Sequence, residues 1–233
     1  LPRAWRQTAT PDPTQVLPAI ITQEATPAAT PAPVPRAWAT YRGSPARVGV
    51  SADPGPGGSP LQLWRFPTGE RINSEPAVVD GVTYAGGEDG HVYALDAATG
   101  AVRWDVDAGS PIDSSPAVAD GVLYIADGDG NLLALDAADG QELWRFTGGR
   151  PEASPAVMDG VVYSGGSDGN LYALDAATGS IVWQSALGAL PSRSPAVGGG
   201  LVAIGAEDHA LHVVDQATGQ ERWRFALADG TIS

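Results

Sequence analysis

From residue 61 onward the chain alternates short apolar runs with polar, glycine-bearing breaks, and no run keeps the spacing of an amphipathic helix. Val122-Leu123-Tyr124-Ile125 is apolar throughout and predicts a strand buried on both faces. Glu142-Leu143-Trp144-Arg145-Phe146 alternates and predicts a strand with one face covered. An innermost strand is expected around Pro116 and a third strand over 131–136, with Asp120-Gly121, Asp129-Gly130 and Asp139-Gly140 as tight turns. Asp-Gly between apolar runs is a strong hairpin signal, because a type I′ turn needs positive φ at both central positions.

The same pattern recurs along the chain. Prolines fall at 76, 116, 155 and 195, and the tryptophans Trp64, Trp104, Trp144, Trp183 and Trp223 are spaced by 39 or 40 residues. Four antiparallel strands per repeat of this length predict an all-β fold, a β-propeller with one four-stranded blade per repeat. The blades are expected at about 72–107, 112–147, 151–186 and 191–226, with one extra outer strand at 61–66 within a propeller domain of 61–233.

Within the repeats, Ala94-Leu95-Asp96-Ala97-Ala98-Thr99-Gly100-Ala101-Val102-Arg103-Trp104 and Ala173-Leu174-Asp175-Ala176-Ala177-Thr178-Gly179-Ser180-Ile181-Val182-Trp183 share A-x-D-x-x-T-G-x-x-x-W. This resembles the tryptophan-docking motif of PQQ-like (quinoprotein-type) β-propellers. That superfamily includes quinoprotein alcohol dehydrogenases, the outer-membrane assembly lipoprotein and propeller domains of membrane-anchored sensors. The second repeat departs at Asp139, where the motif has Thr, and the fourth at Val213, where it has Ala. The resemblance implies a docking set of Asp96, Gly100 and Trp104; Asp136, Gly140 and Trp144; Asp175, Gly179 and Trp183; and Asp215, Gly219 and Trp223. In it each Trp lies between its own blade and the next, Asp and Thr tie the turn, and Gly lets the neighbour approach. Since the family uses seven or eight blades, the four complete repeats and the extra strand are expected to be a fragment of such a ring.

Composition divides the chain. Residues 1–60 hold 12 of the 20 Pro and a net charge of +2, while 61–233 carry −16. Residues 1–35 are rich in Pro, Ala and Thr, a composition that buries too little apolar surface to fold; they are expected to be a disordered spacer, with 36–60 as a lead-in. The acidic balance argues against nucleic acid. The basic residues are all Arg, which excludes lysine Schiff-base and P-loop chemistry, and the absence of Cys excludes thiolate and iron–sulfur chemistry. No apolar stretch reaches the roughly 18–20 residues of a membrane span, so contact with a membrane is expected only through an anchor outside this chain.

For chemistry, the resemblance offers a piece of a PQQ-dependent dehydrogenase with PQQ and Ca²⁺ as cofactors, but the usual Cys pair is missing and the repeat tryptophans all occupy the outer-strand position. Asp127-Gly128-Asp129-Gly130-Asn131 fails the EF-hand pattern, with Leu132 and Ala138 where Gly and Glu are required. His91, His209 and His212 have no Cys or second His at ligand spacing in their own turns, Asp208-His209-Ala210-Leu211-His212 alone being mildly suggestive of a metal, and Gly90-His91 and Trp104-Asp105 match WD40 dipeptides in one repeat alone. A catalytic group would break the symmetry of the repeats, so the regions that differ between repeats are the informative ones. These are the connections 68–73, 108–113, 148–152 and 188–193, expected on one face with the turns between second and third strands. Arg71, Asn73, Asp113, Arg150, Glu152 and Arg193 are the candidate partner contacts. The sequence thus reads as a non-catalytic, cofactor-free binding or scaffold module outside the cytoplasm, tethered in the cell envelope, with a protein or small-ligand partner.

Overall fold

The computed structural model describes residues 37–38, 62–149 and 153–226. The chain divides into two units, Leu1–Pro31 and Ala32–Ser233. The first unit, with the expected spacer, lies outside the described residues, as does most of the lead-in.

The second unit is built of strands; among the described residues there is no helix. β1 (Ala37–Trp38) precedes the repeats. The first blade is β2 (Ala77–Val79), β3 (Val82–Gly86), β4 (His91–Asp96) and β5 (Val102–Asp107). The second is β6 (Ala117–Ala119), β7 (Val122–Ala126), β8 (Leu132–Asp136) and β9 (Glu142–Phe146). The third is β10 (Ala156–Met158), β11 (Val161–Gly165), β12 (Asn170–Asp175) and β13 (Ile181–Ala186), and the fourth β14 (Ala196–Gly198), β15 (Leu201–Gly205), β16 (Ala210–Asp215) and β17 (Glu221–Ala226). Each blade is an antiparallel meander in chain order, the arrangement of a partial β-propeller. β1 adds a fifth strand to the first sheet, pairing Ala37 with Val79 and Trp38 with Val78.

Three local features differ from the sequence reading. Residues 62–66 carry no strand, because no described neighbour offers them a hydrogen-bonding ladder. Type I′ geometry is confined to the turn after each first strand, where Asp80 and Gly81, Asp120 and Gly121, Asp159 and Gly160, and Gly199 and Gly200 all have positive φ. At Asp129-Gly130 and Asp139-Gly140 only the glycine does; the first closes over four residues, with Gly130 N–H donating to Asp127 O, and the second over five, with Gly140 N–H donating to Asp136 O. Finally, every blade carries a β-bulge between its third and fourth strands, at Ala94/Leu95, Ala134/Leu135, Ala173/Leu174 and Val213/Val214. The bulge adds the residue just before each Trp and re-aims the strand.

The second and third strands are buried along nearly their whole length, while outer strands such as β5 and β13 cover every other residue. The core lies between blades: one cluster joins Tyr84, Val92 and Trp104 of the first blade to Leu123, Ile125 and Leu133 of the second.

Candidate interaction face

The two ends of the blades are built differently. At one end the chain repeats itself to the ångström: Ala97, Ala137, Ala176 and Gln216 donate their N–H groups to the carbonyls of Gly81, Gly121, Gly160 and Gly200, each at 2.9 Å. Asp96 Oδ1 accepts from the Thr99 amide at 3.0 Å and hydroxyl at 2.9 Å, and Asp175 with Thr178 and Asp215 with Thr218 do the same. The Arg103 guanidinium and then the Thr99 hydroxyl hold the Asp96 carboxyl down to about 2. Arg222 and Thr218 hold Asp215 at about the same value. In the second blade Asp139 replaces Thr; its carboxylate accepts from the Gln141 amide at 2.9 Å but has no proton to donate to Asp136.

The same end holds the blades together. Each indole donates to a carbonyl of the next blade: Trp64 to Ala97 at 2.9 Å, and Trp104 to Ala137, Trp144 to Ala176 and Trp183 to Gln216 at 3.0 Å. The indole lies on that blade's glycine. A Cβ on Gly100 would stand 2.7 Å from Trp64, and one on Gly140 2.9 Å from Trp104; both glycines also have φ above +70°. Tyr84 and Tyr124 donate their hydroxyls to the carbonyls that Trp104 and Trp144 use, at 3.0 and 3.1 Å. One carbonyl has two lone pairs, and indole and phenol take one each. Burial pushes the Tyr124 hydroxyl up to about 12, so it stays a donor at neutral pH. These tyrosines are absent from the sequence-derived docking set.

The opposite end carries the connections between blades, and here the repeats diverge. Backbone bonds pin three of the connections to the turns of their own blades: Glu88 N–H to Arg71 O at 2.8 Å, Gly128 to Pro111 at 2.7 Å and Glu207 to Leu190 at 2.9 Å. In the first blade Asn73 Nδ2 donates to Glu88 Oε1 at 2.5 Å and to Asp113 Oδ1 of the next connection at 3.2 Å, while Arg71 Nε stands 3.3 Å from Glu88 Oε2. The structure therefore joins Arg71 to Asn73 through Glu88, and Asn73 reaches Asp113 directly. Arg193 is exposed and has no ion pair among the described residues. It occupies the repeat position at which Ser74 and Ser114 donate to the carbonyls of Gly86 and Ala126. Arg150 and Glu152 lie outside the described residues.

Beneath this face sits a carboxylate–aromatic pair that the sequence reading passed over. Tyr93 donates to Asp89 at 2.7 Å, Tyr172 donates to Asp168, and His212 Nε2 shares a hydrogen bond with Asp208 Oδ2 at 3.1 Å. Burial works to raise the Asp89 carboxyl, yet the Tyr93 hydroxyl and the Gly69 and His91 amides hold it below its ordinary value. Asp168 and Asp208 are lowered against the same burial by Tyr172 and His212. The second blade has Leu133 at the aromatic position. There a buried carboxylate, Asp127, replaces the glycine or alanine of the other turns; it accepts from the Asn131 amide at 2.8 Å and lies 3.3 Å from Arg145. The signal was legible as the one acidic residue at that turn position. His91 and Asp105, from the two WD40-like dipeptides, meet at 2.6 Å in the first blade. Among the described residues no group of three His, Cys, Asp or Glu side chains could hold a metal ion.

The described residues do not fit PQQ: the chain has no Cys, and the indoles of Trp64, Trp104, Trp144 and Trp183 are each committed to a neighbouring blade.

Comparison with known proteins places this geometry. The chain is similar to BamB from Moraxella catarrhalis, at 25% identity and a TM-score of 0.62, over 69% of this chain and 55% of that one. It is also similar to the quinohemoprotein alcohol dehydrogenase ADHIIG from Pseudomonas putida HK5, at 21% identity and a TM-score of 0.67, over 82% of this chain and 40% of that one. A europium-containing methanol dehydrogenase matches at 20% identity and a TM-score of 0.72, over 83% of this chain and 49% of that one. The chain thus spans about half the length of the structures it matches, and the two dehydrogenases share its fold alone. No curated protein matches it. The family model described as outer membrane protein assembly factor BamB matches residues 56–193 and 147–232, and the chain belongs to that PQQ-type β-propeller family.

Proposed function

We propose that this chain is a non-catalytic, cofactor-free scaffold propeller that binds a protein partner outside the cytoplasm, in the cell envelope. The observation that carries the reading is the contrast between its two ends. One end repeats the same 2.9 Å bond in all four blades. The other sets differing side chains, Arg71, Asn73 and Asp113 on connections and Glu88 on a turn, held to one another by backbone hydrogen bonds. A surface that is rigid in backbone and varied in side chain suits recognition. The family description, an outer membrane protein assembly factor, supports the envelope setting and a protein as partner.

A photo-crosslinking residue at Arg71 or Asp113, expressed in the native envelope, is expected to trap a discrete partner, and the same residue at Ala98 on the repeated end is not. Equal trapping from both ends would overturn the reading. The competing reading, a piece of a quinoprotein dehydrogenase, draws on the structural likeness to two such enzymes. It predicts a quinone absorption band and dye-linked alcohol oxidation when PQQ and Ca²⁺ are added to the full-length protein; we expect neither.

A further inference from the structure

The residue after each blade's tryptophan lies on the fourth strand: Asp105, Arg145, Gln184 and Arg224. In three blades it takes part in an ion pair. Arg145 Nη1 stands 3.3 Å from Asp127 Oδ2, and Arg224 Nη1 stands 3.8 Å from Asp208 Oδ2. In the first blade the position is acidic, and His91 is the group that can carry the positive charge, its Nδ1 lying 2.6 Å from Asp105 Oδ1. The third blade has neutral amides at both places: Gln184 after Trp183, and Asn170 where the first blade has His91. Among the described residues no cation pairs with its turn carboxylate, Asp168.

The geometry leaves room for one. Asp168 Oδ2 accepts from the Tyr172 hydroxyl and from Asn170 Nδ2 at 2.9 Å, and Oδ1 accepts from the Asn170 amide at 3.1 Å. A carboxylate has about four lone-pair sites, so one on Oδ1 stays open. Burial works to raise the Asp168 carboxyl, yet Tyr172 and Asn170 hold it below its ordinary value, and it is charged at neutral pH. A surface cavity of about 380 Å³ borders it, with Asp168 and Asn170 as polar lining and Ala186, Ala189 and Leu190 as apolar lining. An aliphatic stem that ends in a cation matches this lining, with methylenes on leucine and alanine and charge on the carboxylate. Where the chain itself supplies such a cation from the fourth strand, it uses a guanidinium. Arg145 shows the advantage: its Nη1 also donates to the Ala108 carbonyl at 3.5 Å, so one planar group serves two acceptors.

We propose that this cavity receives an arginine side chain of a protein partner, which gives Asp168 from outside the guanidinium that Arg145 and Arg224 give the carboxylates of their own blades. The inference rests on the reading of this end as a partner face, and it names the chemistry that one point of the face recognises. A basic side chain also suits so acidic a domain.

The test titrates the full ¹⁵N-labelled chain with the blocked tripeptide acetyl-Gly-Arg-Gly-amide and follows the Asn170 side-chain amide and the Gly169 and Gly188 backbone amides. Saturable shifts are expected. The citrulline tripeptide, which keeps the shape and loses the charge, should bind about tenfold more weakly or worse. Asp168→Asn should weaken arginine binding by a similar factor, and Gln184→Arg, which supplies a guanidinium from within the chain, should abolish it. Citrulline or lysine tripeptides binding as tightly as arginine, or an Asp168→Asn chain binding undiminished, overturns the proposal. So does binding that emerges only with Arg150→Ala, which would make this chain's own Arg150 the occupant. Should Asp168→Asn not fold, Gln184→Arg at its exposed position decides, and undiminished binding there overturns the site. The photo-crosslink from Asp113 separates this proposal from the scaffold reading. A partner trapped at full yield by the Gln184→Arg chain overturns the arginine site and leaves the scaffold standing. Tripeptide binding with no partner trapped from either end supports the arginine site and overturns the scaffold.

Discussion

Ser164 is 1% exposed, and its hydroxyl has no hydrogen-bond partner. Its counterparts in the second and fourth blades are Ile125 and Ile204, whose Cδ1 atoms each lie 3.0 Å from where a Cβ would stand on Gly86 and Gly165 of the preceding blade. At the corresponding place before Ser164 the chain has Ala126. Isoleucine is thus matched with glycine, and serine with alanine, across successive junctions. Two outcomes follow for denaturant unfolding. Ser164→Ala should raise stability by about 1 kcal/mol, since it removes a buried unsatisfied hydroxyl. Ser164→Ile should cost about 1–3 kcal/mol by overpacking against Ala126. Ala126→Gly should recover much of that loss, and a strictly additive double variant would contradict the matching. The residue scale is also where the sequence was least legible. Asp113 and Asn73 could be singled out as departures from the repeat, but Glu88, which joins Asn73 to Arg71, was read only as part of a turn. Its role depends on the turn lying against the connection, and the Asn73–Asp113 bond on two connections lying side by side, distances that sequence spacing does not encode.

At the scale of the strand, legibility was high wherever a local signal sets the structure. The apolar run at Val122 and the alternation at Glu142 begin strands at those residues, because burial on two faces or one follows directly from side-chain period. What escaped were features that need a neighbour. The bulge before each Trp leaves no mark in a single strand, and residues 62–66 have strand-like alternation yet no ladder to join. The tyrosine on each second strand is visible in the first three repeats, but the target of its hydroxyl lies 52 or 53 residues away, across the junction. The junction itself gives two graded predictions. Trp144→Ala should cost about 3 kcal/mol, the lower end for a large aromatic, since the indole is only half-buried. Tyr124→Phe keeps the ring contact with Trp144 at 5.8 Å and loses one hydrogen bond, so about 1 kcal/mol is expected. Calorimetric melting checks both, and a Tyr124→Phe loss as large as that of Trp144→Ala would remove the ring from the account.

For the molecule as a whole, the −14 charge is largely the product of repetition, because acidic turn residues recur blade after blade. Two effects of acid then oppose each other. Protonation relieves mutual repulsion among the excess carboxylates, which favours the fold. It also breaks the hydrogen bonds that lower Asp96 and Asp215 to about 2 and that lower Asp89, Asp168, Asp175 and Asp208. A carboxyl whose folded pKa lies below its unfolded one stabilises above the unfolded value and loses that contribution as pH falls through the folded one. Repulsion between exposed charges is screened by salt within about 10 Å at 0.1 M, whereas bonds from amides and hydroxyls at contact distance are not. In moderate salt the local term should win, and the unfolding midpoint should drop from about pH 4 toward pH 2. His91 acts in the opposite sense. The Asp105 carboxylate raises its pKa, so the pair supports the fold fully below the ordinary histidine value and fades as pH climbs through the folded one. Midpoints measured from pH 2 to 9 should therefore show a steep acid limb, sharply reduced in an Asp96→Asn, Asp215→Asn variant, and a shallow loss above about pH 6.5 that His91→Asn abolishes. An acid limb of unchanged size in the double variant would shift the cause from the repeated turns to the carboxylates beneath the opposite face, Asp89, Asp168 and Asp208.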